Sequence, residues 1–454
     1  MIAGTYSIVG DWVIAAKVVS LLFGTMLLIP LYLLSKRFFD ERIALLLTLV
    51  FAFIPFLVDR SVDVVRAPVF WFFLVLGMHF FIGQIGKIRY LYLLLSNLSF
   101  VLAAWARIEG VLFIGISYIF MLIVRQERKL IKFGVFSIPI VLLVFIFFLG
   151  LRIFELGIDD LFYFSRVMPN HFDFIGAGYD NIRAVIKDLA HQDLGIIVSR
   201  FLLRARHLIW WIALGTLLTS MIKAFFYPFF IVFLMGFKGV CKKIKEDERI
   251  LYLSILSFSA FVFLYIVVLI LWEMPTRYMG ILVFPSAVFI GFGLEKVMVF
   301  FRSKFNLKES VAFLIVCLLI LGFSLPKNLK PREKDKLVFK EIGGLIAERE
   351  GNDKEILVAT SQQSIRWISF YSNLDYKGAP CPEKNYDLDN ILGKNYEEFV
   401  RNLRGRGISY FLWEEKHWPK QSASYIATQS HKDFIRVGTW SHPDTGKLIL
   451  FKVT

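Results

Sequence analysis

Apolar runs of about sixteen to twenty-four residues recur along the first 326 positions, separated by short polar or charged stretches. They fall at roughly 12–35, 43–58, 67–82, 90–106, 109–124, 133–151, 222–240, 250–272, 278–297 and 309–325. None shows a sustained polar stripe, so each predicts a helix facing lipid or other helices; a bilayer leaves the backbone few other options. Several are short for a hydrocarbon core of ~30 Å, which points to local thinning or burial within the bundle. The pattern predicts an α-helical polytopic membrane protein of about ten transmembrane helices over residues 1–326.

Two stretches break the pattern. Residues 152–195 form a long charged loop containing "ELGIDDLFYFSRVMPNHF". The segment 196–221 then places Arg200, Arg204 and His207 at i, i+4 and i+7, with Trp210 and Trp211 suited to the headgroup belt. It predicts an interfacial helix closing a long outer loop, 152–221. The alternative is two spans within 208–240, which would reverse the orientation of everything downstream. After the last run, "LPKNLKPREKDK" marks a boundary. Residues 330–454 alternate strand-like runs ("EILVAT", "ISYFLWEE", "KLILFKV") with helical ones ("KLVFKEIGGLIAERE", "NYEEFVRNLRGRG"), predicting a small soluble α/β domain.

Composition agrees: 57% of the 454 residues are hydrophobic, 48 are phenylalanine, and the mean hydropathy is +0.62. The net charge of +15 does not signal nucleic-acid binding, because most short-loop basic residues fall on alternate loops. "KRFFDER", "GQIGKIR", "RQERKLIK", "KGVCKKIKEDER" and "RSKFNLK" carry 3, 2, 4, 5 and 3 of them. These loops are therefore expected in the cytoplasm, leaving both chain ends and the C-terminal domain outside the cell membrane. Cys241, Cys317 and Cys381 suit neither a disulfide framework nor a metal cluster. Met1–Gly10 holds no Lys or Arg, so it lacks the positive start of a signal peptide.

The candidate chemistry lies in the other loops. "ARIEG" (106–110) puts Arg107 and Glu109 where the fourth span meets the fifth. One reading is a solvated turn; the other has both facing a water-filled cavity, since ionisable groups at membrane depth mark substrate paths. "VDRSVDVVRAP" adds Asp59, Arg60, Asp63 and Arg66; "LGIDD" adds Asp159 and Asp160; "WEMPTRYMG" adds Glu273, Arg277 and Tyr278. Arginines grip a phosphate through paired N–H donors, and carboxylates serve as general bases or hold a divalent cation, so the set suits a phosphate-bearing lipid. His171 sits in the long loop as a candidate substrate contact, whereas His79 lies in a span as a packed or lipid-facing residue. No Walker A, GxSxG or HExxH motif is present.

The run "WVIAAKVVSLLFGTMLLIPLYLLSKRFFDERIALLLTLVFAFIPFLVDRSVDVVRAPVFWFFLVLG" resembles the early spans of GT-C-type membrane glycosyltransferases, which include lipid-A aminoarabinose transferases and protein O-mannosyltransferases. "ARIEG", "TRYMGILVFPSAVFIGFGLEK", "LVFKEIGGLIAE" and "ISFYSN" are similar to later stretches of that group. The resemblance implies an inverting transferase of the outer face, moving a sugar from a polyprenyl-phosphate carrier to a lipid, glycan or protein, within cell-envelope glycan or lipopolysaccharide biosynthesis. It implies Arg60, Arg66, Arg107 and Arg277 at the carrier phosphate. Asp63 and Glu109 are then catalytic candidates, Glu273, Tyr278, Asp159, Asp160 and His171 line the substrate cavity, and a divalent cation is a candidate cofactor. The family's main catalytic acid precedes its second span, where this chain opens, so the first span and first outer loop are expected to be missing and the chain inactive as written. Asp11 would otherwise compete with Asp63 and Glu109 for the catalytic role. The competing reading is a non-enzymatic transporter of lipid-linked sugars or a polysaccharide-assembly subunit; no internal repeat supports it.

Overall fold

A computed structural model describes the chain except for residues 88, 125–126, 154–168, 193–194, 331–336, 352, 361, 375, 377–385, 388–390, 394 and 419–432. Asp159, Asp160, Cys381 and most of "ELGIDDLFYFSRVMPNHF" lie outside the described residues. The chain separates into two compact units, Met1–Leu329 and Lys330–Thr454.

The first unit is a helical membrane bundle. After the short α1 (Ile2–Val9) come α2 (Trp12–Met26), α3 (Leu28–Ser35), α4 (Glu41–Phe53) and α5 (Pro55–Ser61), then α6 (Ala67–Gln84), α7 (Tyr90–Ala106), α8 (Gly110–Ile123) and α9 (Lys129–Ile153). The series continues with α10 (Pro169–Ala190), α11 (Ile196–His207), α12 (Ile209–Phe225), α13 (Tyr227–Lys243) and α14 (Glu248–Leu271). It closes with α15 (Gly280–Val283), α16 (Ala287–Phe305) and α17 (Glu309–Asn328). Side-chain caps start several helices: Asp11 accepts from the Ile14 amide at 2.8 Å and Asp40 from the Ile43 amide at 2.9 Å. Asp11 is thus a helix cap.

Among the described residues, five helices are long and apolar enough to cross a membrane, or up to eight if each bent pair counts as one span. α7 and α8 are shorter apolar helices. Bends fall where the local chemistry dictates. Pro55 lacks the N–H that would continue α4, and α5 leaves at 61°.

The expected interfacial helix over 196–221 needs correction. It is two helices, α11 and α12, bent by 75° at Leu208. α11 buries none of its residues, whereas α12 buries Ala213, Leu217, Met221 and Phe225 in the bundle core. A second break at Phe226, with φ of 64°, precedes Pro228, and α13 follows. Proline cannot donate to the preceding turn, so the apolar stretch from 209 to 243 divides there.

Packing centres on α6, whose Trp71, Leu74, Met78 and Phe81 are fully buried. Phe81 stacks on Tyr252 of α14 at 4.3 Å between ring centres. The Tyr252 hydroxyl and Ser117 of α8 lie 2.8 Å apart, satisfying two buried polar groups. α13 and α16 cross at Gly236 and Gly293: a Cβ on Gly236 would meet the Phe289 carbonyl oxygen at 1.7 Å. Small residues admit such close backbone approach between membrane helices.

The second unit has a five-stranded sheet ordered β2-β1-β3-β5-β4. β1 (Val358–Thr360) pairs in parallel with β2 (Tyr386–Asp387) and with β3 (Tyr410–Glu414). β5 (Gly446–Val453) lies antiparallel between β3 and β4 (Phe434–His442). α18 (Leu337–Glu350), α19 (Gln362–Ser372) and α20 (Tyr396–Gly405) accompany it. The strand period of two divides the core. Tyr410, Leu412, Leu448 and Leu450 pack with Ile342 and Ile346 of α18, while Phe411, Ile449 and Phe451 pack with Phe399 and Leu403 of α20. β4 and α19 were not among the elements expected from the hydrophobic pattern. β4 is an edge strand whose residues are mostly partly exposed, so its alternation is weak.

Candidate functional site

Three helix breaks of the bundle meet: 62–66 between α5 and α6, 107–109 between α7 and α8, and 272–279 between α14 and α15. Each break has a local cause. α7 ends at Arg107 in extended conformation, and Gly110 restarts the chain as α8 directly against α7. A Cβ on Gly110 would lie 2.5 Å from the Ala104 backbone nitrogen, so a side chain is excluded. α14 ends at Trp272 in the left-handed region, and Met274–Pro275 lead into a single 3-10 turn, Thr276–Tyr278.

Arg107 and Glu109 form a two-point ion pair: Nη2 to Oε1 at 2.6 Å and Nε to Oε2 at 3.3 Å. Their side chains are only 13% and 7% exposed, so the reading of "ARIEG" as a freely solvated turn does not fit this geometry. Arg107 also donates through Nη1 to the Arg277 carbonyl at 3.4 Å, and its guanidinium lies 4.8 Å from the Tyr278 ring centre. The Arg277 guanidinium lies 5.4 Å from the same ring. Arg60 pairs with Asp63 at 2.9 Å and donates to the Thr276 hydroxyl at 3.0 Å. Six of the expected residues, Arg60, Asp63, Arg107, Glu109, Arg277 and Tyr278, are therefore brought together by contacts spanning up to 216 positions.

Arg66 and Glu273 are exposed on two of the same segments. His171 falls within α10, near its start. Thr276 and Phe70 were missed by sequence reasoning. Thr276 fastens Arg60, and the Phe70 ring lies 5.9 Å from the Arg107 guanidinium. Neither carries a local signal, because a threonine after proline and a phenylalanine in a span are unremarkable by themselves.

Asp63 and Glu109 each face an arginine, and among the described residues no group of three or more His, Cys, Asp or Glu is arranged to hold a metal ion. His79, on the far half of α6, is buried and 3.4 Å from Arg37, away from this cluster.

A bundle of apolar helices with bent spans and a small C-terminal α/β unit gives a multi-pass membrane protein with the fold of GT-C glycosyltransferases. The chain is similar to ArnT from Cupriavidus metallidurans in its apo state, at 11% identity and TM-score 0.56, covering 99% of this chain and 86% of that one. It is also similar to the Archaeoglobus fulgidus oligosaccharyltransferase in its apo form, at 12% identity and TM-score 0.51, covering 96% of this chain and 63% of that one. A second structure of that enzyme, in complex with Zn and sulfate, matches at 13% identity and TM-score 0.51, covering 96% of this chain and 61% of the enzyme. This chain thus spans less than two thirds of the oligosaccharyltransferase's length. No family model and no curated protein matches it.

Proposed function

We propose that this protein is an integral-membrane glycosyltransferase of the cell membrane, moving a sugar from a polyprenyl-phosphate carrier to a lipid, glycan or protein acceptor at the outer face. The fold supports the class. The observation that carries the reading is the placement of two guanidiniums, Arg107 and Arg277, at one tyrosine ring where three helix breaks meet.

The four arginines divide by partner. Arg107 and Arg60 are each held by a carboxylate, and both bond to the 276–277 turn, so they position that turn. Arg277 and Arg66 are exposed and are the guanidiniums available to grip the carrier phosphate. As the bond from the anomeric carbon to the phosphate oxygen breaks, negative charge grows on the leaving phosphate. Fixed guanidiniums stabilise that charge more than they stabilise the ground state. Asp63 and Glu109 keep two arginines oriented. Glu273, exposed four positions before Arg277 and without an ion-pair partner among the described residues, is our candidate to accept the acceptor hydroxyl's proton. Asp159, Asp160 and His171, on the long segment before α11, remain the candidates for contact with the transferred sugar.

The test is glycolipid and glycan profiling of envelope fractions by mass spectrometry with the gene deleted. Loss of one glycan modification, restored by the wild-type gene but not by Arg277→Ala, is the expected result. A profile unchanged by deletion would overturn the reading, as would carrier-linked sugar accumulating inside the cell, which marks a transporter.

A further inference from the structure

Arg89 and Arg107 flank α7 at its two ends, about 25 Å apart for 17 residues at 1.5 Å each. At the Arg89 end, on the side of the basic loops, a second arginine pair meets a tyrosine. The Arg37 and Arg89 guanidiniums lie 5.9 and 5.0 Å from the ring centre of Tyr92. The backbone makes room for this: a Cβ on Gly83 of α6 would fall 2.9 Å from Arg37 Nη2 and 2.6 Å from the Tyr92 ring.

Charge balance separates this pair from the others. Arg60, Arg107 and Arg249 each have a carboxylate beside them, Asp63, Glu109 and Asp247 respectively. Among the described residues, no carboxylate pairs with Arg37 or Arg89. The nearest acids in sequence are committed elsewhere: Asp40 caps α4, and Glu41 accepts from Tyr32. Arg37 Nη2 instead lies 3.4 Å from His79 Nε2, and an imidazole cannot neutralise it. His79 is 8% exposed, held between Arg37 and the Leu33 backbone.

Two converging cations and a phenol at a membrane helix end lack one component, an anion. The flanking surface says which kind. Leu33, near the end of α3 and four positions before Arg37, and Leu91, next to Tyr92 in α7, are 43% and 64% exposed, as acyl-chain contacts would be. We propose that Arg37, Arg89 and Tyr92 bind the phosphodiester head of an anionic membrane phospholipid. The guanidinium forks grip the phosphate oxygens, the phenol donates, and the acyl chains run along the apolar flank of α3 and α7.

The experiment follows thermal unfolding of the purified full-length chain in neutral detergent, titrated with phosphatidylglycerol, phosphatidylcholine or inorganic phosphate. Phosphatidylglycerol is expected to raise the midpoint while the other two do not. R37Q/R89Q should weaken its half-saturation at least tenfold, whereas K242Q/K245Q, two exposed lysines of another basic loop, should leave it unchanged. R89Q alone alters an exposed side chain and carries the test if the double variant does not fold. Equal shifts from both lipids, or a full shift in the arginine variants, would overturn the proposal. An Arg37-dependent shift from inorganic phosphate alone would mean a small-anion site and would also overturn it.

Discussion

Glu109 holds Arg107 at two points, and Arg107 in turn reaches the carbonyl of Arg277, 170 positions away. The pair is mostly buried, so its geometry matters more than its charge. Arg107→Lys keeps the charge but has a single ammonium, losing the fork that serves Glu109 and the Arg277 carbonyl together. Glycan transfer should fall at least tenfold while the protein level in membranes stays near normal. Quantitative immunoblotting beside a transfer assay separates the two; equal activity of Arg107→Lys and wild type would remove Arg107 from the site.

Removing the carboxylate should act differently. Glu109→Ala leaves a nearly buried guanidinium uncompensated, a change that costs about 3–5 kcal/mol in comparable buried pairs. Reduced accumulation in the membrane and a lowered unfolding midpoint in detergent are the expected outcomes. Arg66→Ala alters an exposed residue and should leave both unchanged while weakening donor binding.

The α13–α16 crossing is predicted to be intolerant of any side chain. Gly293→Ala would put a Cβ 1.9 Å from the Val232 carbonyl oxygen, backbone that cannot swing aside. Overpacking of this kind costs about 1–3 kcal/mol and should lower the midpoint, whereas Gly322→Ala, which meets nothing within 4 Å, should not.

Orientation is testable with cysteines. On the loop charges, Lys243 is expected in the cytoplasm and Lys354 outside. In intact cells, a membrane-impermeant maleimide should modify Lys354→Cys and spare Lys243→Cys. Labelling of position 243 would reverse the orientation.

The second unit carries a pH dependence. Lys452 approaches Glu350 Oε1 at 2.5 Å, and Tyr410 donates to the same oxygen at 2.8 Å. These bonds hold the Glu350 carboxyl at about 2, below its usual value of 4.5. Burial and the same carboxylate push the Tyr410 phenol up. A depressed carboxyl stabilises the folded state above the unfolded value and loses that contribution as pH falls from about 4.5 toward 2. Protease resistance of residues 330–454 should drop over that window in the wild type. Glu350→Gln should start lower at pH 7 and drop less.

The apolar runs, the strand-like runs of β1, β3 and β5 and the alternation of loop charge are all local, and each was legible in the sequence. They determine that this is a membrane bundle with a small α/β unit, because bilayer thickness, backbone hydrogen bonding and strand period act over a few residues at a time. The candidate residues were legible as three charged segments, but not their pairing. That Arg60 would meet Thr276, that Glu109 would claim Arg107 while Arg277 lies against Tyr278, and that Arg37 would face Tyr92 with no carboxylate among the described residues depend on which helix ends pack together. The division of 196–243 into three helices had the same origin: hydropathy alone did not show that α12 would bury one face in the core. Periodicity specifies which face of a helix is buried but not against what, and only tertiary packing supplies the partner.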